Sequence, residues 1–228
     1  MRKRLFDWQG QRFAFLALEG EPGLPLERQS QDLFAHAATE LVSLGLALDK
    51  NVVRTRMFGR SSDARTAASD ARSAALTGQS RASGSSYISP EYFSSGADVG
   101  IDLFAMAQPA GSVTRKVMEH DPPQAFIRHL TWGPMVFLAG MTAELPSLRA
   151  QYEDILPRAQ ALLRECGCGW RNVIGVSFFL HRDEAPDALL AGVRQTAPLP
   201  LGNAEIEFVE GFSRPGKRVE IEITARRE

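Results

Sequence analysis
Arg81 is the residue with the clearest chemical potential, in the stretch LTGQSRASGSSYIS (Leu76 to Ser89). A guanidinium presents a planar fork of donors that matches a carboxylate bidentately. Ala82, Ser83 and Gly84 follow it, and Tyr87 and Ile88 are the only bulky members of the strand that this segment predicts. Strand interiors favour branched and aromatic side chains, so such small neighbours leave two readings. Arg81 is structural, either solvated at a strand edge or paired with Asp102 or Glu91, or the small side chains leave room for a ligand that Arg81 holds.

Other chemistry is sparse. His36, His120, His129 and His181 are scattered, and no pair has metal-binding spacing on a helix. His181 ends a strand and reads as a surface residue more readily than as a cleft-facing one. Cys166 and Cys168, separated only by Gly167, disfavour a disulfide and make a poor zinc site. They read as reduced thiols of a cytoplasmic protein. No phosphate loop, dinucleotide fingerprint or nucleophile elbow occurs, so the sequence calls for no metal and no organic cofactor. Arg54, Arg56, Arg60, Arg65 and Arg72 form a basic cluster. It reads as a solvated face balanced by Asp63 and Asp70 more readily than as an anion trap.

The near balance of 26 basic and 27 acidic residues removes any general attraction to nucleic acid or anionic membrane. Asp7, Gln9, Gln11 and Arg12 interrupt the apolar character a signal core would need. No apolar run approaches the roughly 18 residues of a membrane span. A chain of 228 residues accommodates one large domain or two of about 110 residues.

The elements that must position Arg81 come twice. RFAFLALEG (Arg12 to Gly20) and MVFLAGMTAE (Met135 to Glu144) are strands of the same grammar, each followed by a long helical pattern. Leu33, Ala37, Leu41 and Leu44 mark the first helix. Leu148, Tyr152, Ile155, Ala159 and Leu162 mark the second, with Ser147 as N-cap and Pro157 predicting a kink. NVVRTRMF and NVIGVSFFL follow as short strands, then weaker helices near Ser62 to Leu76 and Pro186 to Thr196. Each half closes with two strands, SRASGSSYIS and DVGIDLFAMA in the first, AEIEFVEG and KRVEIEITA in the second. Val53 matches Ile174 and Asp102 matches Glu220, both at an offset of about 120 residues. The sequence thus predicts two tandem β-β-α-β-α-β-β units, 1–110 and 111–228, joined by a linker around Gln108 to Val113. In KRVEIEITA, Val219, Ile221 and Ile223 alternate with Glu220, Glu222 and Thr224. Helices should therefore cover one face of each sheet, and the polar face must meet water or another subunit.

Three segments carry a family resemblance: TRKVMEHDPPQAFIRHLTWGPMVFLAGM, LLRECGCGWRNVIGVSFFL and KRVEIEITA. Through their order and spacing the second unit resembles the reactive intermediate deaminase, or YjgF (endoribonuclease L-PSP-like), family over nearly its full length. The first unit is similar more loosely, through VVRTRMF, the Arg81 strand and GIDLFAMA. The resemblance implies an α+β, chorismate-mutase-like fold in each unit, and single-unit members form homotrimers with a small-molecule cleft at each subunit boundary. It also implies hydrolysis of enamines and imines. Arg81 then stands where a family arginine clamps the substrate carboxylate, and Ser83 where a cysteine often follows it. Glu220 and Asp102 stand where a glutamate positions water, although alternating acids on an amphipathic strand also read as a simple polar face. The second unit departs from the pattern, because LPLGNAEIEFVE places Asn203 or Glu205 near the clamp position. Its S-G-Q element reads Ala139 to Met141, and the first unit has Leu18 to Gly20 there.

The leading expectation is a cytoplasmic, deaminase-like hydrolase of small carboxylate-bearing enamines or imines. Arg81, Ser83 and Tyr87 would bind substrate, Glu220 and Asp102 would be catalytic, and a homo-oligomer, preferably a trimer, would form. One alternative is a non-catalytic small-molecule-binding or assembly module with one degenerate unit. Another is a lyase or hydrolase of cyclic carboxylates, because chorismatases also use duplicated units of this fold.

Overall fold
The computed structural model describes residues 1–108 and 113–228. The expected unit boundary between residues 110 and 111 lies outside the described residues. The first half begins with a hairpin of β1 (Arg2–Trp8) and β2 (Gln11–Glu19). Gln9 and Gly10 close it at φ values of 53° and 71°, since a two-residue turn with both centres at positive φ matches the strands' right-handed twist. There follow α1 (Leu26–Ser43), the short α2 (Leu48–Asn51), β3 (Val52–Gly59), α3 (Ser62–Ala75), β4 (Ser83–Ile88) and β5 (Val99–Met106). The Ser61 hydroxyl caps α3 by accepting from the Ala64 N–H. The sheet order is β1-β2-β5-β3-β4, with β3 and β4 parallel and joined through α3.

The second half contains β6 (Arg115–Met118), β7 (His129–Trp132), β8 (Met135–Leu138), α4 (Leu148–Glu165), β9 (Val173–His181), α5 (Pro186–Thr196), β10 (Glu205–Val209) and β11 (Val219–Arg226). Its order is β10-β9-β11-β8-β7-β6. Without β6, this is the first sheet's order strand for strand, with β9 and β10 as the parallel pair. The second unit therefore has one more strand than the repeat predicts. Ser147 caps α4 as expected, and Pro157 lies inside a helix that runs from Leu148 to Glu165. No helix among the described residues is long and apolar enough to cross a membrane.

Helices cover one face of each sheet. Leu33, Ala37 and Leu41 of α1 pack on Leu16, Ile101 and Leu103, and Tyr152, Ile155 and Ala159 of α4 pack on Phe178, Ile221 and Ile223. The other two faces meet each other inside one chain, which corrects the expectation that each polar face meets water or another subunit. One apolar seam joins Phe13, Val53 and Met106 to Leu130, Trp132 and Phe137. A second joins Phe58 and Tyr87 to Phe179, Val209 and Phe212. Burial of the paired faces also corrects the solvated basic cluster. Arg54 and Arg56 are buried between the sheets, and Arg56 bonds to Glu222 and Glu205 rather than to Asp63 or Asp70.

Candidate functional site at the seam between the units
The small residues of β4 are explained by its register. Ser83, Ser85 and Tyr87 point inward, opposite Arg54, Arg56 and Phe58 of the parallel neighbour β3. Small side chains there admit the second unit. The Ser83 hydroxyl donates to the Leu138 carbonyl at 2.8 Å, and the Ser85 hydroxyl donates to Glu222 at 2.7 Å. Ser83 is fully buried in this contact, so its hydroxyl serves the seam and not a ligand cleft.

Tyr87 and Glu220 are brought together. The Tyr87 hydroxyl donates to Glu220 Oε1 at 3.2 Å, and its ring stacks on Phe179 with centroids 3.9 Å apart. Gly140 lies so close to Glu220 that a Cβ there would come within 1.8 Å of Oε1. Burial, with the nearby Glu222 charge, pushes the Glu220 carboxyl up to about 8, against the opposing pull of Lys217, Tyr87 and Arg72. At neutral pH this carboxyl holds its proton. Glu222 is the opposite case: burial disfavours its charge, but Arg56 and Arg54 outweigh burial and hold it below the usual carboxylate range. Two acids two residues apart on β11 thus carry different protonation states, as charge partners dictate.

Arg81 precedes β4 rather than starting it, capping the 3-10 turn Gly78–Ser80. It pairs with neither Asp102 nor Glu91. Its Nη1 lies 2.6 Å from Glu119, and its Nη2 donates to the Gln124 carbonyl, both on the second unit's opening loop. Beside it opens a cavity of about 380 Å³ between Arg72 of α3, the α3 C-cap Leu76, Arg81, Gly84, Gln124 and Phe126. Arg72 reaches across Gly84, where a Cβ would lie 2.6 Å from its Nη1, and that Nη1 donates to the Ser85 carbonyl. Among the described residues, no carboxylate lies within ion-pair distance of Arg72. Burial lowers its pKa from the ordinary guanidinium value, and the Glu220 charge opposes that fall. The cavity therefore has two cations on its wall, one neutralised by Glu119 and one not. Glu220 does not line this cavity; it retains 7% of its surface exposed, and its charge reaches Arg72.

Asp102 lies apart from this group. It accepts from the Tyr92 hydroxyl at 2.8 Å, and burial raises it to about 6. Sequence reasoning missed Arg72, Gly140, Lys217 and Glu119 as neighbours of the site. Arg72 stood in a helix with no distinguishing spacing, and only the fold turns it over Gly84.

The molecule is a two-unit α+β protein whose duplicated sheets meet face to face around a buried polar seam. No family model matches the chain, and no curated protein matches it. Among solved structures, a chorismatase is 16% identical, with 97% of this chain and 78% of that chain covered at a TM-score of 0.65. A member of the YjgF/YER057c/UK114 family from Mycobacterium tuberculosis is 21% identical, covering 50% of this chain and 99% of its own, at a TM-score of 0.45. A YjgF-family protein from Neisseria meningitidis is 27% identical, covering 50% and 96%, at a TM-score of 0.41. The chain shares the chorismatase's fold over nearly its whole length, and its repeated strand order makes it a tandem, two-unit protein.

Proposed function
We propose that the protein hydrolyses small carboxylate-bearing enamines or imines at the Arg72–Arg81 cavity. One observation carries this reading: Arg72, a guanidinium with no carboxylate at ion-pair distance among the described residues, lines a cavity, and the charge of the buried Glu220 reaches it. Arg72 takes the substrate carboxylate, and Arg81, steadied by Glu119, forms the second cationic wall. Glu220, oriented by Tyr87, supplies a proton to the enamine carbon or the imine nitrogen. Water then adds to the iminium carbon and gives up a proton to the Glu220 carboxylate. The carbinolamine breaks its C–N bond, releasing ammonia and leaving a carbonyl. A group whose pKa lies near the working pH suits both transfers. An iminium carbon is already electrophilic, so this scheme requires no metal or organic cofactor.

The test is ammonia release from imines generated in solution from amino acids. Wild type should accelerate release above buffer, Glu220→Gln should lower kcat, and Arg72→Ala or Arg81→Ala should raise KM. Losing one charge-assisted hydrogen bond of about 1.5–3 kcal/mol corresponds to roughly 10- to 100-fold in affinity. Wild-type rates equal to buffer would refute the deaminase reading. The whole-chain likeness to a chorismatase favours a second reading, a lyase or hydrolase of a cyclic carboxylate, which turnover of chorismate in the same assay would support. A carboxylate that binds without turnover would leave a binding module.

A further inference from the structure
The proposed reaction leaves a second concavity unused, on the part of the first sheet's inner face that the second unit does not cover. A cavity of about 270 Å³ is lined by Arg4 and Phe6 of β1, Phe15 of β2, Asp102 and Phe104 of β5, and Glu205 of β10. Its apolar wall is half-buried phenyl surface, with the Phe15 and Phe104 rings 5.0 Å apart. Its polar wall sets Arg4 and Arg56 against Asp102 and Glu205. Arg56, which also borders it, is already committed to Glu222, Glu205 and the Ser177 hydroxyl. Asp102 and Glu207 then have no basic partner within ion-pair distance among the described residues. Glu207 shares a face of β10 with Glu205, two residues away. Burial raises the Glu207 carboxyl to about 7, with the Asp102 charge adding to the rise. A buried carboxylate without a counter-charge is costly, and a bound cation relieves that cost.

We propose that this cavity binds a small aromatic amine, its ring against Phe15 and Phe104 and its ammonium against Asp102 with Glu207 beyond. Ring faces carry negative quadrupole density, so the phenyl wall and the acids favour the same charge. Arg4 is exposed and lies over the Phe6 ring at 5.9 Å, at the mouth of the cavity. An aromatic carboxylate would meet Arg4 there but would face Asp102, which has no ion-pair partner among the described residues, further in. The site is separate from the Arg72–Arg81 cavity and does not depend on the reaction assigned to it.

Titration calorimetry at pH 7.5 with phenethylamine and phenylpropionate tests the assignment. Phenethylamine should bind wild type. Asp102→Asn, which keeps an acceptor for the Tyr92 hydroxyl, should weaken binding by tenfold or more, and Glu207→Gln on the more exposed strand should weaken it by a smaller factor. Phenylpropionate should not displace the amine, and Arg72→Ala should bind it as wild type does. Absence of amine binding to wild type, unchanged affinity in both acid variants, or displacement by phenylpropionate would overturn the proposal. Should Asp102→Asn fail to fold, the Glu207→Gln and competition results decide it.

Discussion
Arg56→Met removes the centre of the polar seam while keeping much of the side-chain volume. In the wild type, Arg56 Nε donates to Glu222 at 3.0 Å, and Nη2 donates to Ser177 at 2.8 Å and to Glu205 at 3.0 Å. The guanidinium also lies 5.3 Å from the Phe104 ring centre and 4.8 Å from that of Phe179. Burial disfavours its charge, but Glu222 and Glu205 outweigh burial and raise its pKa. Removing one member of a buried pair costs about 3–5 kcal/mol, because the other charge is stranded. Here Glu222, only 1% exposed, keeps the Ser85 hydroxyl and Arg54 at 3.6 Å. Those partners place the expected loss at the lower end, about 3 kcal/mol. For a chain of this length, that lowers the melting temperature by roughly 6–12 °C. Urea unfolding followed by circular dichroism and tryptophan fluorescence measures it, and both probes should report one transition. Arg56→Met with Glu222→Leu should recover part of the loss, since the stranded acid is gone. A cost below about 1 kcal/mol, or a double variant no more stable than the single, would refute face-to-face packing of the two units.

Glu220 gives a pH signature. Its folded pKa of about 8 exceeds the ordinary value of 4.5, so its favourable contribution is full below pH 4.5 and is lost as pH rises to about 8. The stability difference between Glu220→Gln and wild type should therefore grow with pH across that window, approaching ~5 kcal/mol, and a pH-independent difference in urea titrations would contradict a proton held on Glu220. Gly140→Ala places a Cβ within 1.8 Å of Glu220 Oε1; kcat for imine hydrolysis should fall while the circular dichroism spectrum is kept. Gly84→Ala meets the mobile end of Arg72 rather than backbone, so carboxylate affinity should drop with little change in melting temperature.

The repeat made the fold readable, because strand and helix periods recur in the same order with little drift. Ser147 and Pro186 marked helix starts where the structure has them. What stayed hidden was the destination of the polar faces. Glu220, Glu222 and Thr224 alternate with apolar residues as they would on a solvated strand, yet all three are buried. Alternation reports which side of a strand a residue occupies. It does not report what covers that side, and here the cover lies more than a hundred residues away, at Arg54, Ser85 and Tyr87. For the same reason, Arg54 and Arg56 looked like a surface cluster. The extra strand β6 is only four residues long, too short for its pattern to separate it from the loop that follows.

The two seams follow from one duplication and differ in electrostatic character. The strand registers make Ser85 and Glu205 equivalent, since Ser85 pairs with Arg56 on β3 and Glu205 with Ser177 on β9. Tyr87 and Glu207 are equivalent by the same step. Each unit also contributes a buried acid from its last strand, Glu220 or Asp102, and each acid accepts from a tyrosine hydroxyl. At the β4 seam the acid stands beside Tyr87 and Arg72, with Arg81 further along the same cavity wall. At the β10 seam the corresponding strand offers Glu205 and Glu207. One fold thus presents a cavity lined by cations alone at one seam and one lined by cations and acids together at the other. Coulomb's law sorts their ligands before shape does: near a partly buried charge, a ligand of like sign loses several kcal/mol relative to one of opposite sign. The difference lies at equivalent positions, because β10 carries Glu205 and Glu207 where β4 carries Ser85 and Tyr87.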